Sequence, residues 1–575
     1  MNRPASGSIR LWSGIGLLSL FLLAGFSGLG ARLWDLQFRQ KEHFEQTSRT
    51  QRYAVVRQSP QRGLITDRKG RILAASTMIY NVFAEPRRLL QDEQYKLTAD
   101  TLQSILNIPG HEISKQILEA KNPGFLRLVK DIPSDQQQAV LRARLPGIGI
   151  EEAWVRSYPA ASLCSHVVGF VGAEGRGLAG IELKYDAVLA GRGGQDVYVV
   201  DVFRRPIAAY PEGRSPIQNG DNLVLTIDLV IQEIVREALQ KQIREYQAES
   251  GIALVMDPWT GGILAWVSLP DFDPHQFSKT PADRLKNRIL SDPYEPGSIF
   301  KPIAAAVALD CGAITKEEKF DCEDGYWGQY GGIHEFGNKR YGILNVRGII
   351  LNSSNIGMAK IGLKTGAKRL HEGLRLFGFG RPTGVDLAGE ESGVLRPVKQ
   401  WSGYSPTRIA FGHEISVTAL QMARAYCILA NGGTLVQPHL VRAVINPDGQ
   451  ITDVTPSLVG TGYILKPEIA EWMVREPLRA VVKEGTGDQA AVEGVEVFGK
   501  TGTANIALPT GGYDTTNYVS SFVGGAPVDH PRVIILVSIR KPNRALGKGY
   551  SGGRVAAPVF REILQKTLAY LDSNP

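Results

Sequence analysis

Three short motifs whose side chains could together transfer an acyl group occur in order along the chain. They are Ser298-Ile-Phe-Lys301, Ser353-Ser-Asn355 and Lys500-Thr-Gly502. A serine hydroxyl is a poor nucleophile until a base lies beside it. The Ser-x-x-Lys spacing places a lysine one helical turn after the serine, on the same helix face. This combination predicts a serine nucleophile with a lysine as its base.

The residues around Ser298 predict a helix that begins at this serine. Pro296-Gly297 favours a turn, and the apolar run 303–309 favours the helix that follows. Pro302 falls in the first turn, where its missing N–H costs nothing. At a helix N-terminus, free N–H groups and the helix dipole would stabilise a developing oxyanion.

The third motif lies in a pattern that predicts an edge strand at the active site. Lys500 follows the apolar stretch 495–498, and Thr503 extends it. Each motif alone is a weak signal in a chain of 575 residues. Because order, spacing and local context agree for all three, we interpret them as one site.

In this arrangement the motifs resemble those of the penicilloyl-serine transferases, which include penicillin-binding proteins and serine β-lactamases. The sequence around them, residues 294–301, 353–360 and 499–504, resembles class B penicillin-binding proteins rather than soluble β-lactamases. Residues 60–74 resemble the class B opening motif. Three further stretches resemble later motifs of the same pedestal domain: residues 156–159, 166–170 and 180–186.

The pedestal motifs predict structure rather than chemistry. Arg62, Asp67 and Arg68 can form a charged cluster, and Gly63 and Gly70 permit tight turns. The later motifs are typical of a packed, salt-bridged junction between subdomains.

The resemblance implies a role for each catalytic residue. Ser298 would attack the penultimate carbonyl of a D-Ala-D-Ala stem peptide and form an acyl-enzyme. Lys301 would be the general base, with its pKa lowered by burial and by the nearby Lys500. Ser353 would relay a proton to the leaving group, and Asn355 would hold Lys301 and the substrate amide.

The same resemblance implies how substrate is bound. Lys500, Thr501 and Thr503 would bind the terminal carboxylate, on a substrate-binding strand that includes Gly502. The backbone N–H groups of Ser298 and Thr503 would form the oxyanion hole. An amine from a neighbouring stem peptide would then accept the acyl group, and β-lactams would mimic the substrate and trap the serine.

Two residues depart from the pattern of the family. Glu414 stands where relatives often carry glycine, in a loop expected near the active site, and could alter substrate or β-lactam fit. Ala161 stands where glycine is usual and is expected to affect only the packing of the pedestal.

Near its N-terminus the chain has a segment that predicts a membrane helix. Residues 11–31 carry no charge, and 21 residues of helix span roughly 30 Å, the thickness of a bilayer core. Trp12 and Trp34 flank the segment as interfacial aromatics do. We predict an anchor over residues 11–33, with a cleaved signal peptide as the alternative. Flanking charges leave its orientation open, but the resemblance places residues 1–10 in the cytoplasm and the catalytic domain outside it, in the periplasm.

The remaining pattern predicts a multidomain α+β protein. We expect a helical stalk over residues 34–57, an extended pedestal over 58–220 that ends in a Gly- and Pro-rich linker from 206, and a transpeptidase domain over 221–575. In the last domain, a strand at 223–226, a helix at 231–243 and a hairpin of 252–256 with 263–267 are predicted. Strands at 495–504, 518–524 and 533–538 and a helix at 558–571 complete an antiparallel sheet flanked by helices.

Charge and cysteine content narrow the choice of partners. The net charge of +8 is concentrated in residues 1–57, which hold eight Lys and Arg against three Asp and Glu. A basic balance beside a membrane segment suits anionic lipid headgroups, and no nucleic-acid motif is present. Cys311 and Cys322 could form a disulfide or remain free thiols. No Cys/His cluster has metal-ligand spacing, and we expect neither a metal nor another cofactor.

Three stretches resemble division-type members: residues 377–384, 411–421 and 552–560. They favour septal cell-wall synthesis, with a glycan polymerase of the SEDS family and other division membrane proteins as partners. The alternatives are an elongation-type transpeptidase, a D,D-carboxypeptidase or β-lactam sensor, and a non-catalytic division scaffold.

Overall fold

The computed structural model describes residues 7–91, 93–201, 206–456, 462–507 and 512–574. It divides into two compact units, one of Met1–Pro60 with Arg192–Gln218 and one of Gln61–Gly191 with Asn219–Pro575. Residues 1–6 of the predicted cytoplasmic tail lie outside the described residues. The predicted domain boundaries remain predictions.

The first unit begins with the expected apolar helix. The helix Gly7–Trp34 continues through a π-helical turn, Asp35–Arg39, and is followed by a second helix, Lys41–Arg52. Within this stretch Ile15–Arg39 is long and apolar enough to cross a membrane, with a mean hydropathy of 1.6, and none of its most apolar window is buried in the protein.

A small antiparallel sheet completes the first unit and corrects two predictions. Tyr53–Gln58 pairs with Gly194–Val200, which in turn pairs with Pro206–Ala209. The stalk is therefore helical only as far as Arg52, and the predicted linker starts with a strand. Both strands are stabilised by pairing with residues distant in the sequence, which local composition does not reveal.

In the second unit a mixed sheet combines strands from both of its chain segments, Gln61–Gly191 and Asn219–Pro575. Its strands, in spatial order, are Ile451–Asp453, Val441–Ile445, Asn222–Leu225, Ile65–Thr66, Ile72–Ala84 and Leu126–Ile132, with Ile148–Ser157 also paired to Ile72–Ala84. The pair between Ile65–Thr66 and Asn222–Leu225 is parallel. Four helices share a buried core with the long strand of this sheet: Pro86–Gln91, Tyr95–Leu106, Gly110–Leu118 and Ser134–Ala143.

A second, antiparallel sheet forms the centre of the catalytic part. Its strands, in spatial order, are Ile263–Leu269, Ser250–Met256, Val533–Arg540, Tyr513–Ala526 and Phe498–Ala507. The strand that carries Lys500 is thus at the edge, as predicted. Successive side chains of a strand point to opposite faces, and here Leu254 and Val255 enter two different cores.

Helices cover both faces of this sheet. Leu229–Glu245 and Ala557–Ser573 pack on one face, and Lys301–Asp310 and Ala419–Ala430 contribute to the core on the other. The expected antiparallel sheet flanked by helices, and the multidomain α+β class, are confirmed.

Shorter elements surround these layers. The remaining α-helices are Ser165–Val168, Gly180–Lys184, Asp186–Leu189, Ala282–Leu285, Arg288–Ser291, Val346–Asn352, Asn355–Thr365, Ala367–Leu376, Ser405–Ala410, Pro467–Met473, Arg479–Lys483 and Gly552–Val555. Two small hairpins pair Lys319–Asp321 with Ile343–Asn345 and Tyr326–Trp327 with Ile333–His334.

The opening motif takes part in a buried ion network. Arg62 Nε and Arg156 Nε each donate to one carboxylate oxygen of Glu182 at 2.6 Å, and Arg62 Nη1 donates to Asp186 at 2.7 Å. Glu182 is fully buried, and both arginines are 7% exposed. We call these four residues the arginine–glutamate network. Two guanidinium groups and two carboxylates balance its charge.

The predicted cluster of Arg62, Asp67 and Arg68 is wrong. Asp67 instead accepts hydrogen bonds from the backbone N–H groups of Arg71 and Leu229, at 2.8 and 3.1 Å. The short strand Ile65–Thr66 separates Arg62 from Asp67. Arg62 meets Glu182, 120 residues away, whereas Asp67 bonds both within its own turn and to Leu229.

Glycine is required at the two positions of this motif for different structural reasons. Gly70 has a φ of +83° and forms the predicted turn. At Gly63 a Cβ atom would lie 1.8 Å from the carbonyl oxygen of Asp221, so glycine allows a close chain approach there instead of a turn.

Candidate active site

Ser298 lies in a single 3-10 turn, Gly297–Phe300, which leads into the helix Lys301–Asp310. The predicted helix thus begins at Lys301, three residues later than expected. The turn is held from outside, since Tyr426 Oη donates to the carbonyl of Ile299 at 2.8 Å. Ser298 itself is partly exposed.

The second motif lies where two helices meet. Ser353 ends the helix Val346–Asn352 in a left-handed conformation, with a φ of +60°. Ser354 is the N-cap of the next helix, Asn355–Thr365, and its hydroxyl accepts from the N–H of Gly357 at 2.9 Å. This junction turns Ser353 and Asn355 toward the nucleophile helix.

The edge strand Phe498–Ala507 brings the third motif against the turn of Ser298. A Cβ atom on Gly502 would lie 2.9 Å from Ile299 Cγ2, so a larger residue would push the strand away. Thr501 Oγ1 lies 2.7 Å from Thr486 Oγ1, and Thr503 Oγ1 accepts from the N–H of Gly552 at 3.1 Å. Both threonine side chains are thereby held in place.

Two buried lysines converge on the hydroxyl of Ser353. Lys301 Nζ donates to the Ser353 carbonyl at 2.6 Å, to Ser353 Oγ at 3.3 Å and to Asn355 Oδ1 at 2.8 Å. Lys500 Nζ donates to the same Oγ at 3.0 Å and to the Thr501 carbonyl at 3.1 Å. The hydroxyl therefore accepts from both amines, and its own proton remains available for donation.

No hydrogen bond between Ser298 Oγ and Lys301 Nζ is present in the part of the chain that the structure describes; the amine is directed to Ser353 and Asn355. Catalytic hydrogen bonds are often long without substrate and shorten in the complex. Lys301 follows Ser298 by one turn and remains the candidate base.

Burial shifts both lysines toward the neutral amine. Lys301 and Lys500 have no exposed surface. Burial lowers the pKa of Lys301 to about 7, opposed by the negative charge of Glu335. Burial, with the positive charges of Lys301 and Lys339, lowers the pKa of Lys500 well below its usual value. A buried neutral amine near pH 7 is what a base for a serine hydroxyl requires.

A cavity of about 530 Å³ opens over this array. Among the predicted site residues, five line it: Ser298, Ser353, Asn355, Thr501 and Thr503. Lys301 and Lys500 lie beneath it and reach it through Ser353. The structure thus brings the three motifs together.

Several lining residues were not predicted from the sequence. They include Glu335, Phe336, Lys339, Tyr341, His413, Thr486, Asn505 and Arg554. Most come from loops, while Asn505 lies in the edge strand and Arg554 in the helix Gly552–Val555, and no spacing rule connects them. The charge of Glu335, between the first two motifs, is the one signal that could have indicated a polar site residue.

The two departures from the family pattern both have left-handed backbone. Glu414 has a φ of +57° and Ala161 a φ of +44°, which explains why glycine suits both positions. The Glu414 carboxylate accepts from Ser405 Oγ at 2.7 Å. Glu414 does not line the cavity, but its neighbour His413 does. Burial, then the charges of Lys301 and Arg408, lowers the pKa of His413 to about 4.

The cysteines are unpaired. Cys311 is exposed and Cys322 buried, and neither forms the disulfide that the sequence left open. Cys322 Sγ lies 3.4 Å from Ser354 Oγ, so this thiol packs directly behind the second motif.

Comparison with known proteins gives the class of the molecule. A family model described as the penicillin-binding protein transpeptidase domain matches residues 251–565, and one for the penicillin-binding protein dimerisation domain matches residues 57–225. The chain belongs to the penicillin-binding protein family, and the pairing of these two domains makes it a class B member with a serine-type transpeptidase domain.

Individual relatives agree with this class. Stage V sporulation protein D of Bacillus subtilis is 31% identical over 97% of this chain and 85% of its own length. The peptidoglycan D,D-transpeptidase FtsI of Escherichia coli is 31% identical over 91% of this chain and 85% of its own length. The crystal structure of penicillin-binding protein 3 from Mycobacterium tuberculosis complexed with aztreonam superposes with a TM-score of 0.69 at 28% identity, covering 90% of this chain and 98% of that one.

Proposed function

We propose that this chain is a peptidoglycan D,D-transpeptidase that cross-links stem peptides through an acyl-enzyme on Ser298. The observation that carries the proposal is that the buried amines of Lys301 and Lys500 meet at Ser353 Oγ, in the cavity that Ser298 also lines. It combines a neutral amine, a hydroxyl relay and a second amine within reach of one nucleophile.

In the acylation step, Lys301 takes the proton of Ser298 Oγ while Oγ bonds to the penultimate D-alanine carbonyl carbon. The C–N bond to the terminal D-alanine then breaks. The leaving amine takes a proton from Ser353 Oγ, which lies 3.3 Å from Lys301 Nζ and recovers a proton from it. The lysine returns to the neutral amine, ready for the next transfer.

In the second step, an amine of a neighbouring stem peptide attacks the ester carbonyl and loses a proton to Lys301. The C–O bond to Ser298 then breaks, and Lys301 returns the proton to Ser298 Oγ. The N–H groups of Ser298 and Thr503 stabilise the oxyanion in both steps. The hydroxyls of Thr501 and Thr503, near Lys500, bind the terminal carboxylate. β-Lactams acylate the same serine.

The cellular setting is also a proposal. The apolar helix anchors the chain in the cytoplasmic membrane, with the catalytic domain in the periplasm, and a SEDS-family polymerase supplies the glycan strands. The sequence stretches at 377–384 and 411–421 support a septal role. Depletion in the native host should then give filaments, whereas an elongation role would give rounded cells.

The decisive experiment is labelling of the full-length chain in detergent with a fluorescent penicillin. Wild type and the control Ser291→Ala should be labelled, because Ser291 lies upstream of the motif and its hydroxyl donates to the carbonyl of Asn287. Ser298→Ala should not be labelled. Label on Ser298→Ala would contradict the proposed nucleophile.

Incubation with a D-Ala-D-Ala peptide and an acceptor amine then separates the possible reactions. Amide product supports transpeptidation, and free acid alone supports a D,D-carboxypeptidase. Complementation of the depleted host by Ser298→Ala would support the scaffold instead.

A further inference from the structure

Glu335 is a buried acidic residue beside the catalytic lysines that the steps above do not use. Its side chain is 4% exposed and borders the cavity. It follows the two-residue strand Ile333–His334, and it is not part of any of the three motifs. A buried carboxylate is costly unless its oxygens are satisfied, so its partners indicate what it does.

The carboxylate of Glu335 closes the N-terminus of the helix Asn355–Thr365. One oxygen accepts from Ser354 Oγ at 2.5 Å and from the N–H of Ile356 at 3.2 Å. The other accepts from the N–H of Asn355 at 2.7 Å. The first N–H groups of a helix have no partner within it. Glu335 supplies two of them with acceptors, and its negative charge suits the positive end of the helix dipole.

The residue before Glu335 fixes the side chain of Asn355. The carbonyl of His334 accepts from Asn355 Nδ2 at 2.8 Å, which leaves Oδ1 to accept from Lys301 Nζ at 2.8 Å. Two consecutive residues therefore hold both the backbone and the amide of Asn355. The direction of the Lys301 amine depends on this arrangement.

The negative charge of Glu335 also favours the ammonium form of Lys301. The groups that face Lys301 are Lys500, across Ser353 Oγ, and His413 on the far side of the cavity. Within the described residues Glu335 is the carboxylate whose charge opposes the effect of burial on Lys301. Without it, two amines would share a buried site with no compensating negative charge.

We propose that Glu335 is a positioning residue for acyl transfer, which fixes Asn355 and Lys301 in their reactive arrangement and provides the negative charge that acts on Lys301. The proposal rests on the function proposed above. It differs from a purely structural cap, which would hold the helix and leave the charge of the lysine unaffected.

The test is the rate of penicillin acylation of the full-length protein from about pH 5 to about pH 9. In wild type the rate should rise with pH as Lys301 loses its proton, with a midpoint near its pKa of about 7. In Glu335→Gln the ammonium form loses its negative neighbour, so its pKa falls and the midpoint moves to lower pH by about one pH unit. The plateau rate should fall about 10- to 100-fold, because the amide can no longer accept through both of its terminal atoms.

Two further variants separate charge from shape. Glu335→Asp keeps the charge on a shorter side chain, so the plateau should fall while the midpoint stays near that of wild type. Glu318→Gln is the matched control, since Glu318 pairs with Lys364 near the other end of the same helix. This control should reproduce the wild-type profile.

A lower plateau with an unchanged midpoint in Glu335→Gln would reduce the residue to a structural cap and overturn the proposal. A wild-type profile would overturn it as well. If Glu335→Gln does not fold, Glu335→Asp provides the test. A shifted midpoint in this variant, which keeps the charge, would contradict the proposed effect of that charge on Lys301. Ser298-dependent labelling of wild type tests the proposed nucleophile separately, so failure of the Glu335 proposal can be told apart from failure of the proposed function.

Discussion

Two clusters of buried charge in this molecule differ in how they are balanced. In the arginine–glutamate network, each guanidinium meets a carboxylate at hydrogen-bond distance, and Glu182 bonds to both arginines. In the catalytic array, two lysines share one hydroxyl, and Glu335 is directed to a helix end instead of to either amine. Paired charges stabilise the structure in the first cluster, whereas burial without a directly paired carboxylate lowers the pKa of both lysines in the second.

The difference predicts which property each cluster controls. Removing either partner of a balanced buried ion pair destabilises the fold, since the remaining charge has no compensation. Where burial shifts an amine toward its neutral form, replacing it by an apolar group of similar size should cost the protein little stability. Substitutions in the network should therefore reduce stability, and substitutions in the array should reduce the rate of reaction.

The largest effect is expected for Lys301→Met. Removal of the base should lower the rate of penicillin acylation about 10³-fold. The thermal midpoint should stay the same or rise, because a buried amine is replaced by an apolar chain of similar length. Stopped-flow acylation and a thermal melt would measure both.

Lys364→Met is the control for this variant. Lys364 pairs with Glu318 at the surface, so its replacement should leave both readouts at the wild-type values. A large fall in the thermal midpoint of Lys301→Met would mean that the array also holds the fold, and the contrast between the clusters would be lost.

The next effect is expected for Glu182→Gln. Neutralising this side chain leaves Arg62 and Arg156 without their shared carboxylate and should lower the free energy of unfolding by about 3–5 kcal/mol. The fraction that remains folded should react with penicillin at the wild-type rate. Urea unfolding and penicillin labelling of the same samples would measure the free energy of unfolding and the reaction rate. A slower reaction with unchanged stability would contradict a purely structural role for the network.

The smallest effect on stability is expected at Ala161 and Glu414, the two departures from the family pattern. Ala161→Gly relieves an unfavourable φ at an exposed position and should raise the free energy of unfolding by up to about 1 kcal/mol. Glu414→Gly relieves a similar φ but loses the hydrogen bond from Ser405 Oγ, so the two changes should nearly cancel. Equal gains for both variants would show that this hydrogen bond contributes nothing.

The sequence predicted that the residues of the three motifs would meet, and they do, because each motif is short. Ser298 with Lys301, and Ser353 with Asn355, are each close in the chain, so one turn or one helix junction sets their geometry. The edge strand of Lys500 was also predictable, since an apolar run preceded it.

Features that depend on distant contacts were not predicted. Glu335 acts through a helix end twenty residues later, and Arg62 meets Glu182 across 120 residues. The strands Tyr53–Gln58 and Pro206–Ala209 form only because Gly194–Val200 lies between them. Local patterns carry no information about such partners, and the predicted charged cluster of the opening motif was wrong for this reason.

The position of Ser353 Oγ between two buried amines links substrate capture to the uptake of a proton. In the empty site burial shifts Lys500 toward its neutral form, whereas a carboxylate that arrives beside it stabilises the ammonium form. Capture of an anionic peptide should therefore draw a proton from the solvent. The heat of binding should then vary with the ionisation enthalpy of the buffer, and alkaline solution should weaken binding even where it speeds the chemistry.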